Sequence, residues 1–278
     1  MKIFIIACVV LLIIALLFLF VYYQDNHLVV SEYTYANNDI QTEFDGYRIV
    51  QLSDLHDKQF GQSQETLISY IHDINPDAIF LTGDFVTAKS IVHTEELVRE
   101  LSSKYEMFFV PGNHEAGYVK YADLKEVLSE NQVHILENEV VSIAKGNSSI
   151  NVVGLLDTSF YKRSAAMNAA IMDETVQTLT ENLEGATLLL AHRPEYINTY
   201  SKHNINLVFS GHAHGGQFIL PFVGSVYAPG QGLFPKLTQG KHDKNGTTLI
   251  ISRGLGNLAP VPRLFNYPEI VVVTLHNT

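Results

Sequence analysis

The sequence predicts an α/β layered domain behind a single N-terminal transmembrane helix, and three observations carry that expectation. Residues 3–23 form an unbroken apolar or aromatic run without a charge. From Tyr47 onward, short apolar runs alternate with amphipathic segments, the pattern of a layered α/β domain. Several of those apolar runs end on Asp, Asn or His, often beside glycine.

As a helix the leader spans roughly 30 Å, the thickness of a bilayer's hydrocarbon core. A cleaved signal peptide is the rival reading; it has an apolar region of about 7–15 residues and a small-residue cleavage site. Tyr22-Tyr23-Gln24-Asp25 offers no such site. Ile5-Ile6-Ala7-Cys8 resembles a lipoprotein processing box only faintly, because the apolar stretch follows the cysteine. The expectation is an uncleaved anchor over 1–24, with the membrane as its partner. Lys2 and the amino terminus precede the run and Asp25 follows it, so the positive-inside rule places the domain outside the cytoplasm.

Residues 25–46 read as a polar tether leading into a first strand, and 47–278 as one domain. Expected strands are 47–52, 78–81, 107–110, 150–154, 187–191, 207–209, 249–252 and 270–275. Leu67, Ile68, Ile71 and Ile74 repeat at helical spacing, with Ser63 as the expected N-cap. Tyr121, Leu124 and Leu128 make a second stripe, and Met172, Val176, Leu179 and Leu183 a third; core packing accounts for all three. Pro194 is expected to open a short helix, where its missing N–H costs nothing.

A net charge of −11 argues against a domain that holds nucleic acid through a basic face. It leaves room for small anionic substrates held locally by metal. Twelve histidines stand against one cysteine, and Cys8 lies in the leader, so the rest of the chain offers neither disulfide nor thiolate ligand.

The strand ends carry the chemistry. Ser53-Asp54-Leu55-His56 follows the first expected strand of the domain, and Thr82-Gly83-Asp84 the second. Pro111-Gly112-Asn113-His114-Glu115 follows the third, His192 ends another, and Ser210-Gly211-His212-Ala213-His214-Gly215-Gly216 follows the next. In open α/β sheets ligands bind at the carboxyl ends of strands, so these loops converge. Each piece alone is ordinary turn chemistry; together they read as a metal site.

These blocks match, in order, the motifs of the calcineurin-like metallophosphoesterases, and the resemblance covers about 47–275. The tracts 210–217 and 252–256 resemble its membrane-associated bacterial YkuE/YaeI-like branch, which is related to a UDP-2,3-diacylglucosamine pyrophosphatase. The resemblance implies a four-layer α/β/β/α sandwich. It implies that Asp54, His56, Asp84 and His214 hold one metal, and that Asp84 bridges to a second held also by Asn113, His192 and His212. A bridging carboxylate keeps two cations about 3.5–4 Å apart, and water shared between them becomes a nucleophile near neutral pH. Oxygen and imidazole ligands without sulfur suit Mn, Fe or Zn and do not choose among them.

By the same resemblance His114 is the catalytic residue, stabilising the transition state or protonating the leaving oxygen. The family often carries a second Asp three residues after the bridging one to orient this histidine. Thr87 stands there instead, which leaves Glu115 as a candidate by proximity alone. Arg253, in a Gly-rich turn, has two readings: a phosphate clamp, or a surface arginine in a tight turn. The direction of Arg193 is not legible.

Residues 218–223 and 233–235 are apolar loops beside the site, read either as a grip on a lipid chain or bilayer surface, or as core. The expected function is a membrane-anchored phosphoesterase acting on a phosphomonoester, phosphodiester or pyrophosphate, small or lipid-linked. Two other readings stand beside it. One is a nucleotide or nucleic-acid phosphodiesterase, against which the acidity and the anchor weigh. The other is a catalytically silent, metal-containing receptor for phosphorylated envelope material, disfavoured because every ligand position is filled.

Overall fold

Successive residues of a strand point to opposite faces, and the central strands of this chain are apolar on both. Each sheet therefore needs cover on two sides. The computed structural model describes residues 1–278 apart from 88–89, 120 and 258–260. Its helices are α1 (Lys2–Asn26), α2 (Glu65–Ile74), α3 (Val92–Ser102), α4 (Asn113–Gly117), α5 (Tyr121–Glu130), α6 (Ala165–Thr180) and α7 (Ile197–Tyr200).

The first sheet holds β1 (Val29–Ala36), β2 (Arg48–Leu52), β3 (Ala78–Leu81), β4 (Glu106–Phe109), β5 (His134–Ile135) and the last strand of the chain, β16 (Glu269–His276). Its order is β1-β16-β2-β3-β4-β5, with β16 antiparallel to β2 and parallel to β1. The second sheet holds β6 (Glu139–Lys145), β7 (Ser148–Gly154), β8 (Thr187–Leu190), β9 (Leu207–Ser210), β14 (Gly240–Lys244) and β15 (Thr247–Ile251), in the order β14-β15-β9-β8-β7-β6. Two small hairpins lie between β9 and β14. They are β10 (Ile219–Leu220) with β11 (Gly224–Ser225), and β12 (Tyr227–Ala228) with β13 (Gly232–Leu233).

Between the sheets pack Ile49, Phe80, Phe108 and Val273 from one side and Val152, Leu188, Phe209 and Ile250 from the other. The opposite face of the first sheet, with Ile79, Leu81 and Phe109, meets Leu67, Ile71, Leu97 and Leu124 of α2, α3 and α5. Val153, Leu189, Val208 and Ile251 on the outside of the second sheet meet Met172 and Val176 of α6 and Tyr200 of α7. The result is the expected α/β/β/α sandwich, and the expected strands fall within about two residues of the observed ends. The edge strands β5, β6 and β14 and helix α3 were not anticipated; β6 and β14 are short of buried apolar residues and so carry little alternation.

Two local expectations are corrected. Ser63 does not cap α2: Gln64 occupies that position with φ 64°, and no side-chain oxygen caps the helix. The Gln64 carboxamide instead accepts from Phe60 N at 2.9 Å and donates to Lys58 O at 2.8 Å, fixing the loop. Leu183 lies beyond α6, which stops at Thr180, although it still packs on that core.

The tether is barely one, since α1 runs to Asn26 and β1 begins at Val29. Gln24, buried, donates to Tyr267 Oη at 3.0 Å and accepts from Phe265 N at 2.8 Å. Asp25 Oδ1 accepts from Asn257 Nδ2 and Arg263 N, each at 2.7 Å, and Lys58 Nζ donates to Asp25 O. The end of the apolar helix is thus hydrogen-bonded into the domain. Among the described residues, α1 is the one helix long and apolar enough to cross a membrane, a test that a signal sequence also passes.

Candidate metal centre

β2, β3 and β4 of one sheet and β8 and β9 of the other end at one edge of the sandwich, and their following loops meet there. Gln51 Nε2 joins the sheets by donating to Thr82 Oγ1 and Ser210 O, both at 2.9 Å. His212 N donates to the Asp54 carboxylate at 3.1 Å, tying a loop of the second sheet to one of the first.

Three groups of side chains converge. Asp54, His56 and His214 bring one ligand atom each within 4.8 Å of one another, as do Asp84, His192 and His212, and as do His56, Asp84 and His114. His56 Nε2 lies 3.1 Å from His214 Nε2, which is 3.4 Å from Asp54 Oδ1. His192 Nε2 lies 3.2 Å from Asp84 Oδ2 and 3.2 Å from His212 Nδ1. Asn113 opens α4 beside them, and its buried Oδ1 has no hydrogen-bond partner among the described residues.

The backbone is bent to bring this about. Asp54, His56, Asp84, His212 and His214 all have φ between 48° and 65°, a region non-glycine residues enter rarely and at a cost. The glycines of the motifs serve close approach. A side chain at Gly112 would strike the Asp84 carboxylate, and one at Gly211 would strike Ser53 and Asp54.

The surrounding bonds favour a cation. His192 Nδ1 lies 2.7 Å from Thr82 O, so it carries the proton there and turns Nε2 toward Asp84 and His212. Burial holds the His56 imidazolium down to about 4, and burial with neighbouring positive groups lowers His212 and His214 as well, so all three rings are neutral lone-pair donors at neutral pH. Burial opposes ionisation of Asp84, but facing His192, His56 and His114 hold it well below the usual carboxylate range. Buried carboxylates, an orphaned amide oxygen and imidazole nitrogens near 3 Å apart suit a divalent ion that satisfies them together.

Glu115 takes a different part from the one proximity suggested. Its carboxylate accepts from Asp84 N at 2.8 Å, Phe85 N at 2.8 Å and Gly112 N at 2.7 Å, clamping the loops of Asp84 and Asn113 together. His114 is instead seated by its own N–H, which donates to Asp84 Oδ1 at 2.8 Å, and by edge-to-face contact with His56 at 4.5 Å. Its ring remains 31% exposed, with Nε2 4.0 Å from Asp84 Oδ2.

Arg253 is largely buried, so the reading as a surface arginine is corrected; its Nη2 pairs with Glu269 Oε1 at 3.0 Å, and its Nε has no hydrogen-bond partner among the described residues. The arginine that touches the cluster is Arg193, whose Nη1 lies 2.9 Å from His212 Nε2 while Asp157 holds its Nε at 2.8 Å. Asp157 follows β7 by three residues, so it carries the same strand-end signal that marked the other blocks.

A two-sheet sandwich with carboxylates and imidazoles gathered where strands of both sheets end is built as a metal-dependent hydrolase. Residues 47–216 match the calcineurin-like phosphoesterases, and the chain belongs to that family. It is 29% identical over 265 residues to the uncharacterized metallophosphoesterase YkuE of Bacillus subtilis, covering 92% of this chain and 88% of that one. Over 230 residues it is 31% identical to YkoQ of the same organism, covering 80% and 81%. Over 286 residues it is 24% identical to the UDP-2,3-diacylglucosamine pyrophosphatase LpxG of Chlamydia muridarum, covering 82% and 83%. The protein is a metallophosphoesterase, a hydrolase.

Proposed function

We propose that the protein is a membrane-anchored, two-cation phosphoesterase cleaving a phosphoric ester or anhydride, with a phosphorylated envelope or lipid-linked compound as substrate. The observation that carries it is the pair of donor groups, Asp54/His56/His214 and Asp84/His192/His212, built side by side from loops of both sheets. In this reading Asp54, His56 and His214 hold one cation, Asp84 is shared, and Asn113, His192 and His212 complete the second. Mn, Fe or Zn suits that set, and when bound supplies a nucleophile from water and offsets charge on the phosphoryl oxygens.

His114, about a third exposed at the mouth of the cluster, presents an imidazole proton to the leaving oxygen. Glu115 keeps the Asp84 and Gly112 loops in register, and Arg193 ties the loop of His192 to Asp157. Residues 1–24 serve as the anchor, 25–46 as the connection and 47–278 as the catalytic domain. Lys2 ahead of the helix and Asp25 after it support a domain facing outward. Kinship with a diacylglucosamine pyrophosphatase supports a lipid-linked substrate.

A chromogenic phosphodiester assay of the full chain, with and without Mn²⁺, tests the reading. Cation-dependent release of nitrophenolate is expected, and no release at any cation concentration would refute it.

A further inference from the structure

Beside His214 the fold leaves a cavity of about 330 Å³, within the size range of small-ligand sites. Ala213, His214, Phe218, Val226, Tyr227 and Val261 line it, and nearly all of its surface is apolar. A polar phosphoester gains nothing from such a lining, whereas a hydrocarbon does. The cavity touches the donor cluster through His214 alone among the proposed ligands, so an occupant reaches the site from one side.

Its far side leads to the apolar helix. Gln217 Nε2 donates to Val261 O at 3.0 Å, and Ile219 N donates to Leu264 O at 3.0 Å. The next residue, Phe265, packs edge-to-face on Phe20 of α1 with ring centroids 5.9 Å apart. Around this path the hairpins expose Leu220, Phe222, Val223, Leu233 and Phe234 to the outside. Clustered exposed apolar side chains beside a membrane-spanning helix mark a surface that meets lipid.

We propose that the cavity beside His214 takes the hydrocarbon chain of a phosphorylated membrane amphiphile, which enters along the Phe265 side with its phosphate at the Asp84 cluster. This rests on the phosphoesterase reading above and adds to it a chain-binding subsite and a direction of entry. Specificity then comes from the chain as well as from the phosphate.

The test uses the full-length protein in detergent with Mn²⁺ and two substrates that release the same nitrophenolate: methyl and octyl p-nitrophenyl phosphate diesters. The quantity read is the octyl-to-methyl ratio of kcat/KM within each protein, so a loss common to both esters cancels. A buried methylene is worth about 0.8 kcal/mol, so partial burial of the chain gives a wild-type ratio of about ten or more. Val226→Trp fills the cavity and Val226→Asn makes it polar; each is expected to lower the ratio about fivefold or more. A wild-type ratio near one, or a ratio unchanged by both substitutions, overturns the subsite and leaves the phosphoesterase reading standing. The cavity would then serve another occupant, such as an apolar side chain of a partner protein. Hydrolysis of neither ester by the wild type would remove the phosphoesterase reading and the subsite with it.

Discussion

The carboxylate of Glu115 accepts the backbone N–H of Asp84 at 2.8 Å, from a position with 1% of its surface exposed. One side chain thereby fixes the loop after β3 to the start of α4, where Asn113 and His114 sit. Burial and the neighbouring Asp84 charge push its carboxyl up to about 7, and the backbone donors oppose that rise. Glu115→Gln places an amide NH₂ against those donors. A hydrogen bond to a charged group is worth about 1.5–3 kcal/mol, so a clear drop in thermal midpoint is expected, with reduced cation retention. An unchanged midpoint with full cation content would show that the clamp is dispensable.

Arg193 touches His212 through Nη1 and is itself held by Asp157 and Glu195. Arg193→Ala is expected to lower cation affinity, because the loop carrying His192 loses the Asp157 and Glu195 pairs that hold it. Arg193→Lys should recover little, because an ammonium lacks the planar fork that spans His212, Asp157 and Ser159. Elemental analysis after dialysis against graded cation concentrations measures both.

His114→Ala is expected to retain cation and lose roughly 10²–10⁴-fold in rate. The loss should shrink for nitrophenolate, which leaves without a proton, and stay large for alkyl leaving groups. Equal losses across the series would assign His114 to charge stabilisation rather than proton donation.

Asp25→Ala strands two donors, Asn257 Nδ2 and Arg263 N, at the foot of the apolar helix. Unpaired buried donors cost about 1–3 kcal/mol each, so the thermal midpoint should fall. Resistance to carbonate extraction should not change if, as proposed, the apolar span rather than this contact holds the protein in the bilayer. A variant released by carbonate would contradict the anchor.

The residues gathered at the cluster were legible because both strand type and strand end leave a mark in sequence: short apolar runs stop, and Asp, Asn or His follows, often beside glycine. Gly112 and Gly211 were visible as turn signals, but their real task, making room for the Asp84 and Asp54 carboxylates, depends on a second loop far along the chain. The same limit hid the direction of Arg193 and the partner of Glu115. Both act through contacts with residues about twenty to thirty-six positions away, and local pattern says nothing about where a long side chain turns. Ser63 failed as a cap because Gln64 fixed the loop with its own amide, a bond that also reaches His93 O across the fold.

Cation content of the full-length protein tests the central claim most directly. After loading with Mn²⁺ and removal of excess, two equivalents per chain are expected, with phosphodiester hydrolysis abolished by a chelator and restored by the cation. Asp84→Asn, which neutralises the carboxylate proposed to be shared by the two cations, should hold fewer equivalents and be inactive. Full hydrolysis by the chelated protein, or a fully active Asp84→Asn variant, would contradict the two-cation account.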